Sequence, residues 1–130
     1  MSPSLYLLLN HQLTFKQEQD DRQSLGVGRI IELPRDLNAL WRRVPPDLED
    51  IMDYLEPIGT WLEKHAAKKD YVLIQGDFGA AYIMVSFAFE IGLIPLYSTT
   101  LREAVEEHGE DGTVKMVHHF KHRMFRRYEP

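Results

Sequence analysis

The sequence predicts an α/β domain whose mainly parallel sheet is doubly wound and ends in a C-terminal β-hairpin. Three observations predict it. First, Tyr71–Thr100 reads as an apolar run, a tight turn (Gln75-Gly76-Asp77-Phe78-Gly79), an apolar helix over Ala80–Ile91 closed by Gly92, and a second apolar run over Leu93–Tyr97. That is a βαβ unit, and such crossovers give parallel strands connected in the right-handed sense in nearly all cases. Second, Ser4–Leu33 repeats the pattern. Third, Gly109-Glu110-Asp111-Gly112 separates two β-rich arms, a hairpin signal.

Taken in order, Ser4–Leu9 is a continuous apolar run, as expected of a strand covered on both faces. It stops at Asn10-His11. Thr14–Leu25 is polar with sparse apolar positions. Thr14 suits an N-cap, with Gln17 placed three residues later as in a capping box. Gly26 and Gly28 end this helix, and Arg29–Leu33 is a strand stopped by Pro34. A short helix over Arg35–Arg43 ends at Pro45-Pro46. Asp47 then caps a helix from Leu48 to about Lys68, whose apolar positions recur at helical spacing. Pro57 inside it predicts a kink or a restart. After the central βαβ unit, the hairpin arms are Arg102–His108 and Thr113–Phe120, with a short helical turn over Arg102–Glu107 as the alternative for the first. Phe125–Tyr128 reads as one more short strand.

One domain over residues 1–130 is the expectation for 130 residues, with the hairpin region at about 101–130. There are no cysteines, so disulfide and thiolate chemistry are excluded. No apolar run approaches the roughly 18 residues of a membrane span, and the first residues lack the basic region of a secretory signal. A cytoplasmic location is therefore expected. The formal net charge of −5 argues against coating long nucleic acid. Charge is uneven, however. Thr113–Tyr128 holds Lys115, Lys121, Arg123, Arg126, Arg127 and three histidines, with no acids.

The candidate site follows from topology. Parallel strands deliver their carboxyl ends to one edge, where open α/β sheets bind ligands. Gln75, Gly76, Phe78 and Gly79 form a turn running into a helix amino end, which attracts anions; the glycines permit positive φ and close approach. Asp77 either caps that helix or takes a proton. Asn10 and His11 end the first strand beside it, and His11 is an acid–base candidate. Thr99, Thr100 and Arg102 offer hydroxyls and a guanidinium suited to phosphate. Lys121 and Arg123 face one way on an extended segment and His122 the other. The two cations suit phosphate, and His122 is a candidate to protonate a leaving oxygen. Each feature also has a purely structural reading: a glycine turn, a strand cap, or a charged edge strand protected against aggregation. No spacing argues for a metal; His118 and His119 point to opposite faces of a strand. No cofactor is called for.

LLLNH near the start, PPDLEDIMDYLEPIGTWL, VLIQGDFGA followed by GLIPLYSTT, and FKHRMFRRYE near the end together resemble a small CRISPR-associated family. That family is grouped with the stand-alone ring nucleases of type III CRISPR systems. The resemblance covers nearly the whole chain, with Ser98 standing where the family motif has alanine. It implies a Rossmann-like fold, a homodimer, and metal-independent cleavage of cyclic tetra-adenylate, switching off the messenger. The chemistry is attack of a 2′-hydroxyl on its adjacent phosphate, leaving a 2′,3′-cyclic phosphate. On chemical grounds the acid–base candidates are His122, His11 and Asp77. Rival readings are a messenger-sequestering protein without cleavage, a regulatory subunit that binds protein, and a binder of an ordinary nucleotide.

Overall fold

The computed structural model describes residues 2–130. Its sheet has five strands: β1 (Ser4–Leu8), β2 (Arg29–Glu32), β3 (Tyr71–Ile74), β4 (Ile94–His108) and β5 (Val114–Arg127), in spatial order β2-β1-β3-β4-β5. The first four are mutually parallel, and β5 runs antiparallel to β4. Helices α1 (Phe15–Ser24), α2 (Arg35–Arg42), α3 (Met52–His65) and α4 (Phe78–Glu90) lie in the connections. The chain leaves β1 outward to β2, then crosses back to β3 and on to β4. With right-handed crossovers, that reversal puts α1 on one face of the sheet and the other helices on the opposite face.

Burial on both faces explains the unbroken apolar strands. Tyr6, Leu8, Val72 and Ile74 pack with Leu37 and Trp41 of α2, Leu55, Ile58 and Leu62 of α3, and Ala80, Met84 and Ala88 of α4. Leu5, Leu7, Leu9, Leu73, Leu96 and Phe125 face the other way, with Val27, Leu13 and Leu25. Each fully buried leucine or isoleucine contributes about 1.5–3 kcal/mol relative to exposure. The second layer is unusual because α1 (FKQEQDDRQS) has no apolar stripe; its buried residues are Gln17 and Asp21. Its start is well specified, with the Thr14–Gln17 capping box formed in both directions.

Several boundaries differ from the sequence expectation. α3 begins at Met52, after an Ile51 N-cap without a side-chain bond; Asp47 does not cap it. The helix passes through Pro57 without a restart. At the sixth position of the helix the proline ring gives up the bond to the Asp53 carbonyl and crowds that carbonyl, and the helix continues through it. α4 starts at Phe78, two residues early, because Asp77 caps it through Ala80 N at 3.0 Å. The largest difference is in β4. Ser98-Thr99-Thr100 does not end the strand, and no helical turn forms over Arg102–Glu107. Phe125 belongs to β5, with no separate strand. The cause is pairing with β5, which runs from Leu96↔Arg127 to His108↔Val114 with one irregularity between Thr99 and Thr100. β3 pairs with β4 only as far as Leu73↔Leu96. The outer part of β4–β5 therefore leaves the sheet as a two-stranded ribbon; eight pairs from Leu101 to His108 span about 27 Å. Among the described residues, no helix is long and apolar enough to cross a membrane.

Candidate functional site at the carboxyl edge

A sheet ordered β2-β1-β3-β4 reverses direction between β1 and β3, and ligands of open α/β sheets bind in the crevice at that reversal. The segments flanking it are Asn10-His11 after β1 and Gln75–Gly79 after β3, joined by Gln75 N–H to Leu8 O at 3.0 Å. The sequence expectation thus brings Asn10, His11, Gln75, Gly76, Asp77, Phe78 and Gly79 to one edge. Thr99, Thr100, Lys121, His122 and Arg123 stand at the root of the ribbon, next to that edge. Arg102 is carried further out along the ribbon.

Several of these residues have structural duties. Gln75 Oε1 accepts the Ser98 N–H at 2.9 Å, tying β3 to β4, and its carbonyl accepts the Trp41 indole N–H at 3.1 Å. Neither Gly76 nor Gly79 has positive φ, so that part of the expectation fails. The close approach at Gly76 is made by Trp41: a Cβ there would lie 3.0 Å from the indole nitrogen. Trp41 is 1% exposed and has no room to retreat. Gly76→Ala is therefore expected to cost about 1–3 kcal/mol through overpacking, read as a lowered melting temperature. Thr99 Oγ1 accepts Met124 N–H at 3.2 Å and donates to Met124 O at 3.1 Å, clamping the ladder at its irregularity.

The cations are partly committed. Lys121 pairs with Glu103 at 3.1 Å. Arg102 donates to His118 at 3.3 Å and lies over Phe120. The positive field of Arg123 acts on Asp20.

His122 is buried, its Nδ1 2.5 Å from Ser98 Oγ and its Nε2 2.7 Å from Asp20 Oδ2. Its ring also lies 4.5 Å from that of Phe125. Burial alone would raise the Asp20 pKa, but hydrogen bonds from Ser24 and His122 and the charges of His122 and Arg123 outweigh it and hold it below the usual value. Hydroxyl, imidazole and carboxylate in series resemble a nucleophile relay. Ser98 lines none of the five best-formed cavities among the described residues, and both ring nitrogens are occupied. In this arrangement the chain fastens α1 to the root of the ribbon. Asp20 carried no signal in the sequence, since its partner lies 102 positions away.

His11 differs. It is exposed, and its Nδ1 lies 2.8 Å from Gln12 O. A carbonyl can only accept, so Nδ1 carries the proton and Nε2 is the free nitrogen. Phe78 is 95% exposed at the first position of α4, an aromatic face with no ring partner among the described residues. Among the described residues, no group of three His, Asp or Glu side chains suits a metal.

The comparisons with known proteins agree with one another. A family model described as "Uncharacterized protein MJ1673 family" matches residues 3–126. The Methanocaldococcus jannaschii protein named "Uncharacterized protein MJ1673" is 51% identical over 128 residues, covering 98% of each chain. No solved structure matches.

Proposed function

The chain belongs to the MJ1673 family, and from that premise we propose that two copies bind a cyclic oligoadenylate, cyclic tetra-adenylate by preference, and cut it without a metal. The observation that supports the reading is the exposed edge at the sheet reversal: Asn10 and His11 are exposed after β1, His11 beside Glu32, Asn38 and Arg42, and Phe78 is exposed at the amino end of α4 after β3. An adenine can stack on Phe78, and the free N–H groups of the helix end suit a phosphate. Arg123, Thr100 and Lys121 border the same edge.

The reaction needs little from the protein. The 2′-oxygen attacks its neighbouring phosphorus, the bond from phosphorus to the 5′-oxygen breaks, the 2′-proton goes to a base, and the 5′-oxygen takes a proton. Positioning and charge stabilisation supply most of such a rate gain. His11 Nε2 is the acid–base group that the geometry favours. His122, with both nitrogens engaged, acts through the placement of the ribbon, and Asp77 acts as the cap of α4. A ring of four equivalent units suits a two-fold pair of chains, each presenting the same edge.

Incubation with excess cyclic tetra-adenylate in EDTA tests the reading. Linear product beyond one equivalent per pair, ending in a 2′,3′-cyclic phosphate, is expected. Tight binding without product would assign sequestration instead, and absence of binding would overturn the proposal. His11→Ala is expected to keep binding and lose cleavage by at least 100-fold, in line with a lost general acid–base group. Phe78→Ala is expected to weaken ring binding about tenfold or more, the stacking contribution of one base. Its melting temperature should hardly move, because the side chain packs against nothing.

A further inference from the structure

Beside the carboxyl end of β3 lies a recess built from two tyrosines and two arginines. β3 pairs with β4 as far as Leu73↔Leu96, so Tyr97 is level with Ile74, the last residue of β3. Arg126 of β5 lies opposite Tyr97, on the same face of the ladder. Tyr128, two residues on, returns to that face. Its hydroxyl donates to Ile74 O at 2.7 Å, one residue before the Gln75–Gly79 turn. Together with Arg127 and Glu129 these side chains line a recess of about 680 Å³. Tyr128 also lines the neighbouring groove that holds Phe78, so one side chain walls both.

The contacts inside the recess leave its positive charge unspent. Arg126 Nη1 donates to the Tyr97 hydroxyl at 2.9 Å, and the guanidinium carbon lies 5.5 Å from the centroid of the same ring. That bond uses one of five guanidinium N–H donors. Because the Tyr97 oxygen accepts, its own O–H is left to donate. Arg127 lies 6.0 Å from the centroid of the Tyr71 ring. Among the described residues neither arginine has a carboxylate within ion-pair distance, in a chain with 20 acidic residues against 15 Lys and Arg. Aromatic faces thus position both cations without neutralising them. Elsewhere near this edge Lys121 is paired with Glu103, and Arg102 lies over Phe120. Glu129 is the one acid lining the recess, against two arginines.

We propose that this recess binds a phosphate group of a nucleotide, with Arg126 as its cation and Tyr97 as the hydroxyl donor beside it. A held guanidinium with free N–H groups and an adjacent O–H supplies charge and directed hydrogen bonds together, which is the chemistry that phosphate oxygens take. Holding the guanidinium in advance on the Tyr97 ring lowers the ordering cost of binding. A nucleotide with its phosphate here can set its base toward Phe78 across Tyr128. The inference deepens the ring reading above and rests on it for the identity of the nucleotide, a unit of cyclic tetra-adenylate. Neither arginine, and neither tyrosine, was among the residues expected to bind phosphate from the sequence.

Isothermal titration calorimetry with cyclic tetra-adenylate and, separately, with 5′-AMP tests it. Arg126→Gln is expected to weaken binding by about 10- to 100-fold, as for a lost hydrogen bond to a charged group. It should also make the salt dependence of log K shallower by about 0.7–1 in slope, the share of one phosphate contact. Tyr97→Phe keeps the ring under Arg126 and should cost about tenfold. Glu129→Gln should tighten binding. Lys115→Gln makes the same charge change as Arg126→Gln at the far end of β5, beyond the reach of screened charge, and should stay within about twofold of wild type. Thermal melts of the four variants check the fold. Ring binding that survives both Arg126→Gln and Tyr97→Phe, or that falls equally in Lys115→Gln, would overturn the recess and leave the ring reading standing. Binding of 5′-AMP that needs Arg126, without any binding of the ring, would keep the recess and overturn the ring reading. Binding of neither would overturn both.

Discussion

Replacing His122 with alanine is expected to destabilise the protein by about 3 kcal/mol and to loosen the ribbon. The ring is 8% exposed, and its removal leaves the buried Ser98 hydroxyl with only a long bond to Thr99 O at 3.4 Å, at a cost of about 1–3 kcal/mol. It also opens a cavity beside Phe125, which adds to the loss. At about 4 °C per kcal/mol for a domain of this size, the melting temperature should fall by about 10 °C. Asp20→Asn keeps an oxygen to accept from Nε2–H, so its effect should be clearly smaller. The two variants together separate loss of a fastening from loss of a charge. Amide exchange should accelerate at Thr99–Met124 in His122→Ala before it does so in β1 or β3. A melting temperature within 2 °C of wild type would show that the bond chain fastens nothing.

The sequence revealed what depended on near neighbours. The run YVLIQGDFGA specifies strand, turn and capped helix because every cause lies within a few residues: β-branched and leucine residues, a glycine, an aspartate three residues before the amide it caps. Thr14 and Gln17 are likewise local. From the two βαβ units came the parallel sheet and hence the position of the edge. What stayed hidden had distant causes. β4 continues through Ser98-Thr99-Thr100 because β5, 22 to 27 residues later, pairs with it. Gly76 is glycine because of Trp41. α1 covers an apolar sheet face without an apolar stripe of its own, so periodicity could not show which side is buried. The edge residues were legible as a group, but their roles were not. His122, a natural general acid when seen alone, is occupied by Ser98 and Asp20, whereas His11 keeps a free nitrogen that only the tautomer argument identifies.

Asp21→Leu is expected to stabilise the protein at pH 8 by about 3 kcal/mol. Asp21 is 0% exposed, and neither carboxylate oxygen has a hydrogen-bond partner. Burial pushes its pKa up to about 6; the nearby Arg22 charge opposes this, and Glu18 and Asp20 add to it. The ordinary value is 3.8, so the folded chain holds this proton about two pH units longer than the unfolded chain, worth about 3 kcal/mol. Below about pH 4 both states are protonated and the group costs nothing as a charge. As pH rises from about 4 to 6 the unfolded state ionises first, and stability falls. Above about pH 6 the full penalty is present. Leucine removes the charge and places methyl groups against the neighbouring leucine layer, so the variant's advantage should be small at pH 4 and reach its plateau above pH 6. Denaturant midpoints of the two proteins across pH 4–8 measure it, and subtracting the curves cancels the histidines common to both. An advantage that does not change with pH would mean that Asp21 is not the titrating group. A leucine variant less stable than wild type at pH 8 would mean that the carboxylate is held by a favourable interaction, and the assignment of Asp21 as a buried, unpaired acid would fall.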